Sequence, residues 1–113
     1  MPDRVWAVRL AVPAAQDFAE IIQWSRERFG PAQADRYRQW LRAAIEELEA
    51  GPSHALSRSR EDIGPGLRVL HAARKGKPAR HFLLYRQSGE SGIEIVRLLH
   101  ESMDLGRHAL PLD

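Results

Sequence analysis

The sequence predicts an α+β fold: an N-terminal strand, an α-helical hairpin, then a three-stranded antiparallel meander, with the helices packed on one face of the sheet. Three observations predict it. Apolar residues recur at helical spacing in two consecutive runs divided by Gly30-Pro31. The second half holds three short runs rich in β-branched, leucine and aromatic residues, separated by glycine-containing turns. The chain has 113 residues, enough for one domain over 1–113 that buries roughly two-thirds of the surface its unfolded form exposes.

The elements follow in order. "VWAVRL" at 5–10 combines β-branched and aromatic side chains and reads as a first strand ended by Pro13. The helical hairpin is expected at about 14–50. Ala14, Phe18, Ile21, Ile22 and Phe29 form the stripe of its first helix, with Asp17 and Glu20 placed to suit the dipole in or near the first turn. Gly30 ends that helix and Pro31 opens the next at its favoured first position. Ala34, Tyr37, Leu41, Ala44, Ile45 and Leu48 make the second stripe, which stops at Gly51-Pro52. Residues 52–63 read as a polar connector. The C-terminal sheet, about 67–100, comprises "LRVLHA", "RHFLLYR" and "IEIVRLLH", joined by "KGKP" and "QSGESG". Residues 101–113 form a short tail. Because the three strands are consecutive and closely joined, they should form an antiparallel meander with one face covered by the hairpin and the other partly open.

Composition narrows the class. Hydrophobic residues are 43% and charged residues 28% of the chain, ordinary values for a globular protein. No apolar run approaches the roughly 18 residues a bilayer span needs, and "MPDRVWAVRLAV" lacks the apolar core of a signal peptide, so a cytoplasmic protein without membrane contact is expected. There is no cysteine, which removes disulfides, thiolate metal sites and cysteine nucleophiles. Net charge is only +2, yet residues 67–86 hold six Lys or Arg and no Asp or Glu. Such a stripe either meets an acidic partner or keeps a sheet edge solvated.

Candidate chemistry concentrates at the C-terminus. "HESMD" superficially resembles a two-histidine zinc motif, but the position four after His100 is Asp104, and His108 lies beyond Gly106; no metal is expected. Ser102, His100 and Asp104 lie too close in sequence for a relay triad, and "GPG" lacks the lysine and spacing of a phosphate loop. Strand end followed by turn is the plain reading, with Asp104 capping amides or pairing with Arg107. A metal-free ribonuclease needs acid, base and cationic groups on one surface. His71, Arg80, His81, Tyr85, Arg97, His100, Arg107 and His108 supply the residue types; of these Arg80, Tyr85, Arg97 and His100 are the best set. Strand alternation puts His81 and Tyr85 on one face and Arg80 and Arg86 on the other. Trp6, Trp24 and Trp40 suit core or helix-flank packing better than base stacking.

The run "IGPGLRVL", then "RHFLLYR", then "IEIVRLLHESMDLGRH" resembles the ParE branch of the ParE/RelE type II toxin superfamily. That branch typically ends in a strand reading I-x-x-x-R-x-L-H-x-x-M-D-x-x-R-H, and Ile93, Arg97, Leu99, His100, Met103, Asp104, Arg107 and His108 occupy every position. The resemblance implies a toxin neutralised by a ParD-like antitoxin in a hetero-oligomer, inhibiting DNA gyrase stoichiometrically and blocking replication, with no cofactor and no direct contact with nucleic acid required. The basic stretch and the C-terminal cluster offer Arg68, Arg74, Lys75, Arg80, Arg97, His100, Arg107 and His108 as candidate contacts to such a target or antitoxin. RelE relatives instead cut mRNA on the ribosome. Aligned on Tyr85, the RelE-type arginine corresponds to Phe82 and the C-terminal tyrosine region to "RHALPLD", so two expected catalytic groups are missing. The ribosome-dependent endoribonuclease is the alternative.

Overall fold

A computed structural model describes residues 5–105. Strand β1 (Ala7–Leu10) passes through Ala11 alone into helix α1 (Val12–Phe29). Pro13 therefore sits in the first helical turn, where its missing N–H costs nothing, instead of merely closing the strand. Gly30, at φ 89°, ends α1 and begins α2 (Pro31–Glu47), a left-handed backbone geometry that makes the one-residue turn of the hairpin. A 3-10 turn (Leu48–Ala50) follows.

The sheet is larger than the meander alone. Strands β2 (Arg58–Ser59), β3 (Arg68–His71), β4 (His81–Ser88) and β5 (Gly92–His100) join β1 in the order β1-β5-β4-β3-β2. The meander β3-β4-β5 is antiparallel as expected, but β1 pairs parallel to β5, which gives a mixed five-stranded sheet. The polar connector also contributes β2, two exposed residues opposite Arg68 and Val69. A two-residue polar strand carries no alternating pattern, so its pairing comes from β3 and not from its own side chains.

One face of the sheet meets the hairpin. Ala14, Ile22, Ala34, Tyr37, Leu41 and Ala44 from the helices close on Leu70, Leu83, Tyr85, Ile93, Ile95 and Leu98 from the strands. Alanines at the seam let the helices approach closely. A fully buried leucine or isoleucine contributes about 1.5–3 kcal/mol, against about 0–1 kcal/mol for an exposed ion pair, so this seam dominates stability. The opposite face has its own smaller cluster, Leu67, Val69, Leu84, Val96, Leu99 and Leu105, flanked by Ile63 and Phe82.

A β-bulge in β5 shifts the alternation that divides its residues between the two clusters. Tyr85 faces Ile95 and Leu84 faces Arg97, so Val96 is an extra residue without a partner on β4. Before it, Ile93 and Ile95 point to the helices; after it, Leu98 does. Val96 and Leu99 serve the other face.

Candidate functional site

The helical hairpin and the C-terminal end of the sheet enclose an open cavity of about 370 Å³. Its walls are aromatic. Trp24 and Phe29 lie on α1, 52% and 62% exposed, with ring centroids 5.7 Å apart in an edge-to-face arrangement. The Arg28 guanidinium sits 5.2 Å over the Trp24 ring. From α2, Trp40 packs edge-on against Tyr37 at 6.1 Å. The apolar stripes placed Phe29 in the core; it is instead the last residue of α1, mostly exposed, and lines the cavity. Trp24 falls beside its helix's stripe, a signal of a second apolar surface that was readable in the sequence.

A hydrogen-bonded chain forms the polar end of the cavity. The Tyr37 hydroxyl accepts from the Arg80 backbone N–H at 2.8 Å and meets His81 Nδ1 at 2.6 Å. Burial holds the His81 imidazole down at about 4 and the nearby His100 adds to the effect, so His81 is neutral and Tyr37 donates to its Nδ1. Burial likewise raises Tyr37 above its ordinary value. The His81 and His100 rings stand perpendicular with centroids 5.2 Å apart. His100 Nδ1 accepts the Ser102 backbone N–H at 3.1 Å and lies 2.8 Å from its hydroxyl. In both imidazoles the proton therefore resides on Nε2. Arg80 lines the mouth, its exposed guanidinium 3.2 Å from Glu101, whose other oxygen meets His71 at 2.7 Å. The His71 contact, reinforced by the cations, holds the Glu101 carboxyl below its usual range.

The candidate contact residues do not form one patch. Arg80 and His100 share the cavity. Arg97 is drawn into the fold: it grips Asp17 through Nε at 2.7 Å and NH2 at 3.0 Å, and the same carboxylate accepts the Leu98 N–H at 2.9 Å. Asp17 is thus no first-turn dipole partner; it lies past the first turn of α1 and covers the edge of β5 beyond β1. Arg74 holds the other side of the sheet. One of its nitrogens donates to the carbonyls of His71 and Ala73, both at 2.6 Å, while Nε and NH2 bind Glu47. Burial opposes the charge on Glu47, but Arg74 and then His54 outweigh it and leave its carboxyl below the ordinary range. Arg68 donates twice to the Ser57 hydroxyl, and Lys75 is exposed at the β3–β4 turn. Arg107 and His108 lie outside the described residues, as does the suggested Asp104–Arg107 pair. The strand does end at His100, followed by a turn in which the Met103 N–H reaches the His100 carbonyl at 2.9 Å.

The ribonuclease set fares differently. Tyr85 is fully buried and donates its hydroxyl to the Pro52 carbonyl at 2.7 Å. Arg97 is paired with Asp17 and does not line the cavity that Arg80 and His100 share. No group of three or more metal-ligating side chains occurs among the described residues, and no helix among them is long and apolar enough to cross a membrane.

The family described as ParE toxin of type II toxin-antitoxin system, parDE, matches residues 8–105. The chain belongs to the ParE toxin family. Toxin ParE1 of Mycobacterium tuberculosis is 38% identical over 100 residues, which cover 88% of this chain and 94% of that protein. Toxin ParE1 of Caulobacter vibrioides is 30% identical over the same shares. Among solved structures, a chromosomal ParDE system from P. aeruginosa superposes with a TM-score of 0.68 at 21% identity, covering 86% of this chain and 97% of that one. The RelBE2 toxin-antitoxin complex of Mycobacterium tuberculosis superposes at 0.53 with 20% identity, over 85% and 98%. Helical hairpin, mixed sheet and chain order are thus those of a ParE-type toxin, within the wider ParE/RelE superfamily.

Proposed function

We propose that this ParE toxin inhibits DNA gyrase by stoichiometric binding in the cytoplasm, acting as a single domain, and that a ParD-like antitoxin neutralises it in a hetero-oligomer. Membership of the ParE branch supports the target and the partner. The observation that carries the binding mode is the fate of Tyr85: a phenol sealed in the core with its hydrogen bond already made cannot reach an RNA backbone, and Arg97 is committed to Asp17. Arg80 and His100 alone lack the further cation that a developing phosphorane charge needs, so a contact role suits them better than chemistry. Lys75 and Arg68 extend the same basic half of the molecule as candidate contacts.

Purified toxin titrated into gyrase, DNA and ATP should abolish supercoiling or accumulate cleaved DNA near equimolar ratio. Full activity at large excess, together with ribosome-dependent mRNA cuts in primer extension after induction, would replace this reading by the endoribonuclease one.

A further inference from the structure

We infer that the tip of the β3–β4 hairpin is a sequence-independent contact for duplex DNA, with Lys75 and Lys77, flanked by Arg58 and Arg80, meeting phosphates along one groove. The inference goes beyond the gyrase reading, which requires no contact with nucleic acid, and its test needs no gyrase.

Beyond His71 the hairpin continues as a two-stranded ribbon. The Ala72 N–H reaches the His81 carbonyl at 2.9 Å, and Arg74 and Lys77 exchange both backbone hydrogen bonds, at 3.1 and 2.8 Å. Lys75 and Gly76 are left as the turn. Gly76 takes φ 78°, the left-handed geometry that favours glycine. A Cβ there would meet no atom within 4 Å, so the turn stands clear of the fold, and residues 75–78 are all exposed.

Charge selects the ligand class. Residues 67–86 hold six cations and no carboxylate, and the fold sorts them. Arg74 turns inward to Glu47, Arg68 to Ser57 and Arg86 to Glu94, whereas Lys75 and Lys77 form no ion pair among the described residues. Two further cations extend the run. Arg80 stands with Pro78 on the wall of the aromatic cavity, and Arg58 stands with Arg74 on the wall of a groove of about 540 Å³ across the outer sheet face. No carboxylate lines either space.

The tip also lacks what other polyanions and acidic proteins need. Lys75-Gly76-Lys77-Pro78 offers no large apolar anchor, and no aromatic residue occurs in 72–80. Protein interfaces draw most of their affinity from a few buried aromatic or arginine anchors, and single strands from bases stacked on aromatic rings. Duplex phosphates need only cations, which gain affinity by releasing condensed counterions. Shape then separates DNA from RNA. The major groove of B-form DNA is about 12 Å wide and admits a two-stranded β-ribbon, whereas that of A-form RNA is too deep and narrow for side chains to read.

Fluorescence anisotropy of a labelled mixed-sequence DNA duplex, titrated with the full chain, tests the assignment. Three or four neutralised phosphates give log K against log salt a slope of about −3, so affinity should fall roughly 60-fold from about 50 to 200 mM salt. Lys75→Gln and Lys77→Gln should each weaken binding severalfold and reduce the slope by about 1 at unchanged melting temperature, and Lys75→Arg should keep both. Arg26→Gln, the same change of charge in the last turn of α1, should alter neither. Amide shifts on adding the duplex should centre on Gly76. No saturable binding at low salt, tip variants that bind like the parent, or an equal loss in Arg26→Gln would overturn the assignment. So would single-stranded DNA, double-stranded RNA, polyglutamate or anionic phospholipid vesicles bound as tightly as the duplex.

Discussion

Asp17 and Arg97 stand 80 positions apart and form a two-pronged ion pair, with the Leu98 amide sharing the carboxylate. Both side chains are mostly shielded, so the hydrogen bonds matter more than those of an exposed pair. Asp17→Ala removes all three at once and uncovers the Leu98 N–H; the urea midpoint should fall by an amount equivalent to about 2–4 kcal/mol. A loss under half a kilocalorie would show the pair to be ornamental. His81 carries a pH dependence. Its folded value of about 4 lies below the ordinary 6.5, so between those values the unfolded chain holds a proton that the native chain refuses. Stability should therefore be highest above pH 6.5 and decline as pH falls toward 4, by about 2 kcal/mol after allowance for partial solvent access. Glu47, Asp62 and Glu101, all held below their ordinary values, withdraw their contributions only below about 4.5. The window above that belongs to His81, and His81→Gln should flatten the stability curve there. An unchanged slope in the variant would refute the assignment.

At the scale of elements, the sheet edges are managed by charged side chains. Asp17 takes the amide of Leu98 in β5 past the end of β1, and Arg74 takes the carbonyl of His71 at the end of β3 and that of Ala73 just beyond it. Sequence reading placed Arg74 and Arg97 in a docking surface because a cation, whether at a turn or in a strand, looks the same whether it meets solvent, a partner or a distant carboxylate. Both helices, the turn at Gly30 and the three strands of the meander were readable, since each depends on local periodicity or a backbone preference. The bulge was only half-visible. Ile95-Val96 and Leu98-Leu99 break the alternation of two, but which residue is extra depends on the register with β4. Gly92 is another element-level constraint: with an ordinary backbone angle, it would carry a Cβ 2.4 Å from the Ser88 carbonyl oxygen at the base of the hairpin. Gly92→Ala should cost about 1–3 kcal/mol by forcing β4 and β5 apart, seen as a lower melting temperature and faster amide exchange around Ser88. Wild-type exchange in the variant would contradict it.

For the whole molecule, binding and stability are linked. If an acidic antitoxin binds only the folded toxin, a free concentration one hundred times its dissociation constant stabilises by about 2.7 kcal/mol. Thermal unfolding of the complex should therefore shift upward and become concentration-dependent, with an association rate that falls as salt rises because the basic half of the chain steers the encounter. A melting temperature indifferent to the antitoxin would exclude tight binding to the native state. The net charge of +2 understates this effect: residues 67–86 present Lys75, Lys77 and Arg80 as exposed cations at the β3–β4 turn and beside the cavity.

Family, the order of first strand, helical hairpin and meander, and the helix-on-sheet arrangement were all determined by the residues alone, because hydrophobic spacing, glycine and proline chemistry and the C-terminal motif are properties of neighbours in the chain. The parallel pairing of β1 with β5, the two-residue β2, the Asp17–Arg97 clasp and the aromatic cavity were decided only in three dimensions. Each joins segments far apart in sequence, where the energy lies in a contact that neither segment's own pattern encodes. The separation is clearest at Tyr85 and Trp24: composition offered the first for chemistry and the second for packing, while the packed sheet buried the phenol and left the indole at the surface.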